Sequence, residues 1–224
     1  MNHPKIKIQK NGPYLVTGDV PLSEKNIVSN GRTNEYQPGR ELPQAAEYEL
    51  CRCGHSKNAP FCDGSHKKAH FNGTETASRQ TYDDRAEVQP GPGLSMKDDF
   101  RCAFARFCHR NGRSVWELLD ESNDPKLRDE AIKAAQECPA GRLVAIDTDG
   151  KDIEPHFSPS IEILQDSTNN VSGPIFVKGM IPIEAADGHI YEIRNRVTLC
   201  RCGESENKPF CDANHIPANY RDHK

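Results

Sequence analysis

Apolar side chains in this chain recur in short alternating runs broken by glycine, proline and polar turns. Gly12 to Leu22 reads GPYLVTGDVPL and Gly173 to Ile183 reads GPIFVKGMIPI. Both alternate around a central Val-x-Gly and end in an apolar-Pro-apolar step, the pattern of a short strand closed by a turn. Further extended runs lie at Tyr48-Glu49-Leu50 and from Tyr191 through Leu199. From the leading glycine to the next cysteine is 39 residues in the first copy and 27 in the second, so the first carries a polar insertion around Ser29 to Arg40. Helical periodicity is confined to the middle: Asp124-Pro125 offers an N-cap and a first-position proline, and the run toward Gln136 turns Leu127, Ala131 and Ala134 or Ala135 inward. Ser114-Val115-Trp116-Glu117 and Arg142 to Asp147 read as short strands. Gln89-Pro90-Gly91-Pro92-Gly93 has the composition of a linker. The pattern predicts a β-rich α+β fold in three parts, residues 1–88, 89–152 and 153–224. Neither outer part has enough apolar residues for a core of its own.

Chemistry enters through a second repeat. Cys51 to His66 reads CRCGHSKNAPFCDGSH and Cys200 to His215 reads CRCGESENKPFCDANH, with eleven of sixteen positions identical. Both keep three cysteines and a terminal histidine at fixed offsets. Three thiolates and an imidazole form a soft donor set suited to zinc or iron–sulfur chemistry. A structural zinc site draws on C-x2–4-C pairs that wrap one ion. Here the donors fall as two and two: Cys51 with Cys53, then Cys62 with His66, four apart and able to share a helical face. The same holds for Cys200 with Cys202 and Cys211 with His215. That grouping fits a 2Fe–2S cluster with one pair on each iron; zinc is the alternative. Asp63 is a good N-cap residue, placing first-turn N–H groups toward an anionic cluster. Asp63 and Asp212 read as caps rather than general acids. Alanine at 213, where the first copy has Gly64, suggests a turn with no left-handed backbone.

The pattern C-x-C-x2-S-x3-P-x-C-D-G-S-H at Cys51 to His66 resembles the CDGSH iron–sulfur (NEET) family. The second copy keeps every ligand position but reads CDANH. The resemblance implies two units that exchange strands into a β-cap above two clusters, elsewhere as a homodimer. Here it implies a monomer with internal pseudo-twofold symmetry, because an isologous interface can be satisfied within one chain.

Between the copies, Cys102 and Cys108 stand in Phe100 to Cys108 (FRCAFARFC), and Cys138-Pro139 follows. Bacterial ferredoxins use C-x2-C-x2-C and a distant C-P, and this segment matches with Ala105 at the middle cysteine. It resembles single-cluster ferredoxins whose missing cysteine leaves a 3Fe–4S cluster, and also the divergent 4Fe–4S modules fused to CDGSH units. A small ferredoxin-like α+β insert is therefore expected, with a 3Fe–4S cluster on the three thiols, or 4Fe–4S as the alternative. The competing reading is that the cysteines pack as small hydrophobes. His109 reads as a surface histidine rather than a further ligand.

Composition narrows the rest. The nine cysteines divide three, three and three at ligand spacing, which argues against a disulfide framework. No apolar run approaches bilayer length, and Met1 to Lys5 shows no apolar h-region. A net charge of −4 with no basic cluster beyond Lys67-Lys68 leaves no nucleic-acid footprint. A reducing bacterial cytoplasm is expected, with a mitochondrial matrix also compatible. No Ser-His-Asp grouping, P-loop or dinucleotide fingerprint occurs, so no enzyme activity is expected. The expectation is one-electron transfer with a redox partner protein. Acid-labile delivery of a cluster to an apo-acceptor, or redox sensing, is the alternative.

Overall fold

The computed structural model describes residues 3–222. Five strands open the chain: β1 (Lys5–Ile8), β2 (Tyr14–Thr17), β3 (Leu22–Ser29), β4 (Asn34–Pro38) and β5 (Glu47–Leu50). The short helices α1 (Ser65–Lys68) and α2 (Tyr82–Arg85) follow. The middle unit comprises β6 (Glu87–Pro90), β7 (Ser95–Asp98), β8 (His109–Arg110), β9 (Arg113–Ser114), α3 (Val115–Asp120), α4 (Pro125–Gln136), β10 (Leu143–Ile146) and β11 (Asp152–Ile153). The last part holds β12 (Ser160–Asp166), β13 (Val171–Lys178), β14 (Ile183–Glu184) and β15 (Arg196–Leu199). The fold is α+β and strand-rich, as the pattern predicts.

The two outer parts exchange strands. One sheet runs β14-β1-β2-β5 and another β15-β13-β12-β3-β4. In the first, β14 from the C-terminal part lies parallel to β1, Ile6 opposite Ile183. In the second, β3 from the N-terminal part lies parallel to β12, from Leu22–Ile161 to Ile27–Asp166. Each part thus lends its post-proline strand to the other's sheet. One apolar core fills the space between them, joining Ile6, Val16 and Leu50 to Ile163, Ile175 and Leu199, all fully buried. Alternation explains the halves: β5 exposes Glu47 and Glu49 while burying Tyr48 and Leu50. The polar insertion of the first copy becomes a hairpin, β4 pairing antiparallel with β3 and extending that sheet.

Three local readings are corrected. Gln89 to Gly93 is no linker: Glu87–Pro90 is an edge strand paired with β7, and Gly91 N–H closes the hairpin onto the Leu94 carbonyl. Proline is tolerated there because an edge strand has N–H groups that need no partner. Val115 to Glu117 is helical, because Ser114 and Glu117 form a reciprocal capping box at the start of α3. Of Tyr191 to Leu199, only the last four residues form a strand. α4 starts as expected, with the Asp124 carboxylate accepting from Lys126 N–H and Ala131, Ala134 and Ala135 buried. The middle sheet is β11-β10-β7-β6, with Met96, Leu143 and Ala145 packed on both helices.

Candidate metal centres

Each CxC pair sits directly after the last strand of its sheet. Cys51 N–H donates to the Pro60 carbonyl and Cys62 N–H to Glu49, folding the later donors back over the earlier ones. The second copy repeats this with Cys200 to Pro209 and Cys211 to Thr198. Ala59-Pro60 and Lys208-Pro209 are both cis. The hydroxyls of Ser56 and Ser205 donate to the Phe61 and Phe210 carbonyls, bracing equivalent loops.

The donors meet in pairs. Cys51 and Cys53 sulfurs lie 3.7 Å apart and those of Cys200 and Cys202 lie 3.6 Å apart. His66 Nδ1 is 3.4 Å from Cys62 Sγ, and His215 Nδ1 is 3.5 Å from Cys211 Sγ. Two thiolates on one tetrahedral metal at about 2.3 Å should stand about 3.8 Å apart, and a thiolate and an imidazole about 3.6 Å. All four pairs fit that geometry. Among the described residues, no three His, Cys, Asp or Glu side chains converge on one ion.

Within each CxC pair the surroundings lower the first thiol and raise the second, burial raises Cys62 and Cys211, and the His215 imidazole is kept neutral. The hydrogen bond shared with Cys53, to which N–H groups of Ser56 and Gly54 add, lowers Cys51 below the usual thiol range. Cys200 is lowered in the same way, by Cys202 and then Ser205 and Gly203. Gly64 and Ala213 N–H groups reach the Cys62 and Cys211 sulfurs. Burial, with the Arg201 guanidinium adding, lowers His215 to about 4. Beneath each CxC lies a buried arginine. Arg52 donates to the carbonyls of Gln9, Gly12 and Gly73 and lies over Phe71, whereas Arg201 lies over Tyr220 and pairs with Asp222. Sequence reasoning passed over both arginines, although each sits between two donor cysteines.

Two readings of this region change. Asp63 does not cap α1, whose N-cap is Gly64. Its carboxylate accepts from Lys57 and Ser65 N–H groups, which hold it down at about 2 and pin the turn after Cys62. Ala213 does adopt the left-handed backbone, with φ 70°, matching 83° at Gly64. The ligand turn imposes that conformation, and the alanine bears it.

The two sites differ in exposure and touch each other. Cys62 and His66 are half-buried, while Cys211 and His215 are buried. Gly54 and Gly203, both at positive φ, lie back to back across the pseudo-twofold. A Cβ on Gly203 would stand 2.7 Å from the Cys53 carbonyl oxygen, and one on Gly54 would overlap that of Cys202.

In the middle unit, Cys102, Cys108 and Cys138 line a small cavity of about 40 Å³ together with Ala103, Ala140 and Arg142. Burial raises Cys138, and burial followed by the neighbouring thiols raises Cys108 to about 11. Phe104 N–H reaches the Cys102 sulfur; Phe104 stands exposed at the rim, and Phe100 is exposed in a neighbouring cleft with Trp116 and Arg142. His109 is exposed, its Nδ1 3.6 Å from Cys108 Sγ, and lines a larger outer cleft with Arg32, Arg106 and Trp116. No helix among the described residues is long and apolar enough to cross a membrane.

Residues 11–67 and 172–216 match the family described as iron-binding zinc finger CDGSH type. Residues 96–148 match the divergent 4Fe-4S mono-cluster family. The chain is a tandem CDGSH iron–sulfur protein with a mono-cluster unit between its two CDGSH regions. No curated protein and no solved structure matches it.

Proposed function

We propose that the chain holds two 2Fe–2S clusters and a third centre, and moves single electrons between partner proteins. The first cluster would be held by Cys51, Cys53, Cys62 and His66, the second by Cys200, Cys202, Cys211 and His215. Cys102, Cys108 and Cys138 would hold a 3Fe–4S or 4Fe–4S centre. The observation that carries this is the twofold recurrence of donor pairs at tetrahedral spacing. When bound, such centres supply reversible uptake of one electron. The chain's own part is to fix donor orientation through the turn at Asp63 and its counterpart, where Asp212 accepts from Glu206 and Asn214 N–H groups. It also aims the Gly64 and Ala213 N–H groups at the Cys62 and Cys211 sulfurs, which favours added negative charge there. Iron and sulfide counts with EPR of the anaerobically purified protein test the assignment. Four irons per chain and no signal from a third centre would remove the middle site; loss of iron only in mononuclear amounts would favour zinc-type sites.

Delivery of a cluster to an apo-acceptor is the second reading, and one observation favours it: Cys62 and His66 are half-exposed at the first site. Incubation with an apo-ferredoxin separates the readings, since cluster transfer without an added reductant supports delivery and reduction without cluster loss supports electron transfer.

A further inference from the structure

The three donor sets are not independent. Cys211 is buried in one apolar cluster with Ala103 and Ala140, and Cys138 packs against it. Ala103 follows Cys102, and Ala140 stands two residues after Cys138, so the middle unit's ligand loops form the wall over the second CDGSH site. Two further contacts fasten that wall. The Arg101 guanidinium lies 4.4 Å above the Phe210 ring, joining the residue before Cys102 to the residue before Cys211. Arg196, four residues before Cys200 and 1 % exposed, donates to the carbonyls of Ala135, Gln136, Cys138 and Leu143. On its opposite side the second site meets the first through Gly54 against Cys202 and Gly203 against Cys53.

Resting on the reading of three iron–sulfur centres, we infer that the Cys200–His215 set is the hub of a single file. The Ala103–Ala140 wall couples it to the middle set, and the paired glycine loops couple it to the first. Its short side chains matter, because alanine keeps the two ligand loops at backbone distance where a larger residue would separate them. An electron entering at the exposed Phe104 rim then reaches the first set by way of the second. Each exchange oxidises one centre by one electron and reduces its neighbour by one, with no bond made or broken. The electron comes from an external one-electron donor protein.

Power-saturation EPR on the iron-loaded full chain, poised so that neighbouring centres carry unpaired spin, tests the order. The middle centre should relax faster than an isolated one. Cys211→Ala should abolish that enhancement, and Cys62→Ala should leave it unchanged. Ala140→Val, which keeps every ligand, should weaken the enhancement and shift the visible bands of the second centre, not the first. Enhancement that survives Cys211→Ala, or is lost in Cys62→Ala, would overturn the file while leaving the centres themselves established. A chain complete in iron at both CDGSH sites with no middle signal would overturn the middle-site assignment and the file together.

Discussion

Ala213 sits at φ 70° in the turn where the first copy has Gly64 at 83°. A left-handed alanine costs about 1 kcal/mol relative to glycine. Nothing lies within 4 Å of a Cβ on Gly64, so backbone strain alone should decide that position. Ala213→Gly is expected to stabilise the second site by about 1 kcal/mol, and Gly64→Ala to destabilise the first by a similar amount. Chemical unfolding followed by the visible bands checks both. The histidines differ by burial. A free histidine titrates near 6.5 and His215 is held at about 4, so the native state keeps its ring neutral and loses stability as pH falls through that interval. His66 is half-exposed to solvent, whereas His215 is buried. At about pH 5.5 the first site should lose its visible absorption several-fold faster than the second, and His66→Cys should remove the difference. Equal decay in the wild type would argue against imidazole ligation.

Among the elements, those written in local chemistry were legible in the sequence and those written in contacts were not. α4 could be read from Asp124, Pro125 and its inward alanines because capping and periodicity are local. α3 was missed because Val115 and Trp116 suggest a strand, while the Ser114–Glu117 capping box that overrides them was also in view. The β6–β7 hairpin was hidden by glycine and proline, residues that serve turns and linkers alike. Pairing of the candidate donors at the CDGSH regions was legible because they lie within sixteen residues. Arg196 could not be found, since its acceptors lie in α4 and the loop beyond, some sixty residues away along the chain. It also pairs with Glu154. Arg196→Met would remove the guanidinium from those carbonyls and leave Glu154 with Asn195 as its remaining partner, and a loss of about 3 kcal/mol is expected. Denaturant unfolding measures it, and a change under about 1 kcal/mol would show that water replaces the guanidinium.

For the whole molecule, the pseudo-twofold does not make the two sites equal. From Cys51 to Lys68, Arg52, Lys57, Lys67 and Lys68 stand against Asp63; from Cys200 to Pro217, Arg201 and Lys208 stand against Glu204, Glu206 and Asp212. The net charges are +3 and −1. The structure widens the gap, because Arg201 is paired with Asp222 while Arg52 donates to backbone carbonyls. Burial of the second site further disfavours added negative charge. One charge about 10 Å away contributes about 0.5 kcal/mol at an effective dielectric of about 60, or about 20 mV for one electron. The first site should therefore reduce at the higher potential, by several tens of millivolts at low salt and less at physiological salt. Potentiometric titration of variants with one intact CDGSH site checks the order, and a higher midpoint at the second site would reverse it.

The exchange of β3 and β14 between the sheets also bears on how the two halves can change. In a symmetric dimer of identical chains every substitution is inherited twice, and both sites must tolerate it. Here each half is encoded once. Ala213 can stand on one side only, a hairpin can grow on one sheet edge only, and a middle unit can roof one site while the other stays open. The covalent twofold keeps the architecture of a pair while allowing its two members to take different work.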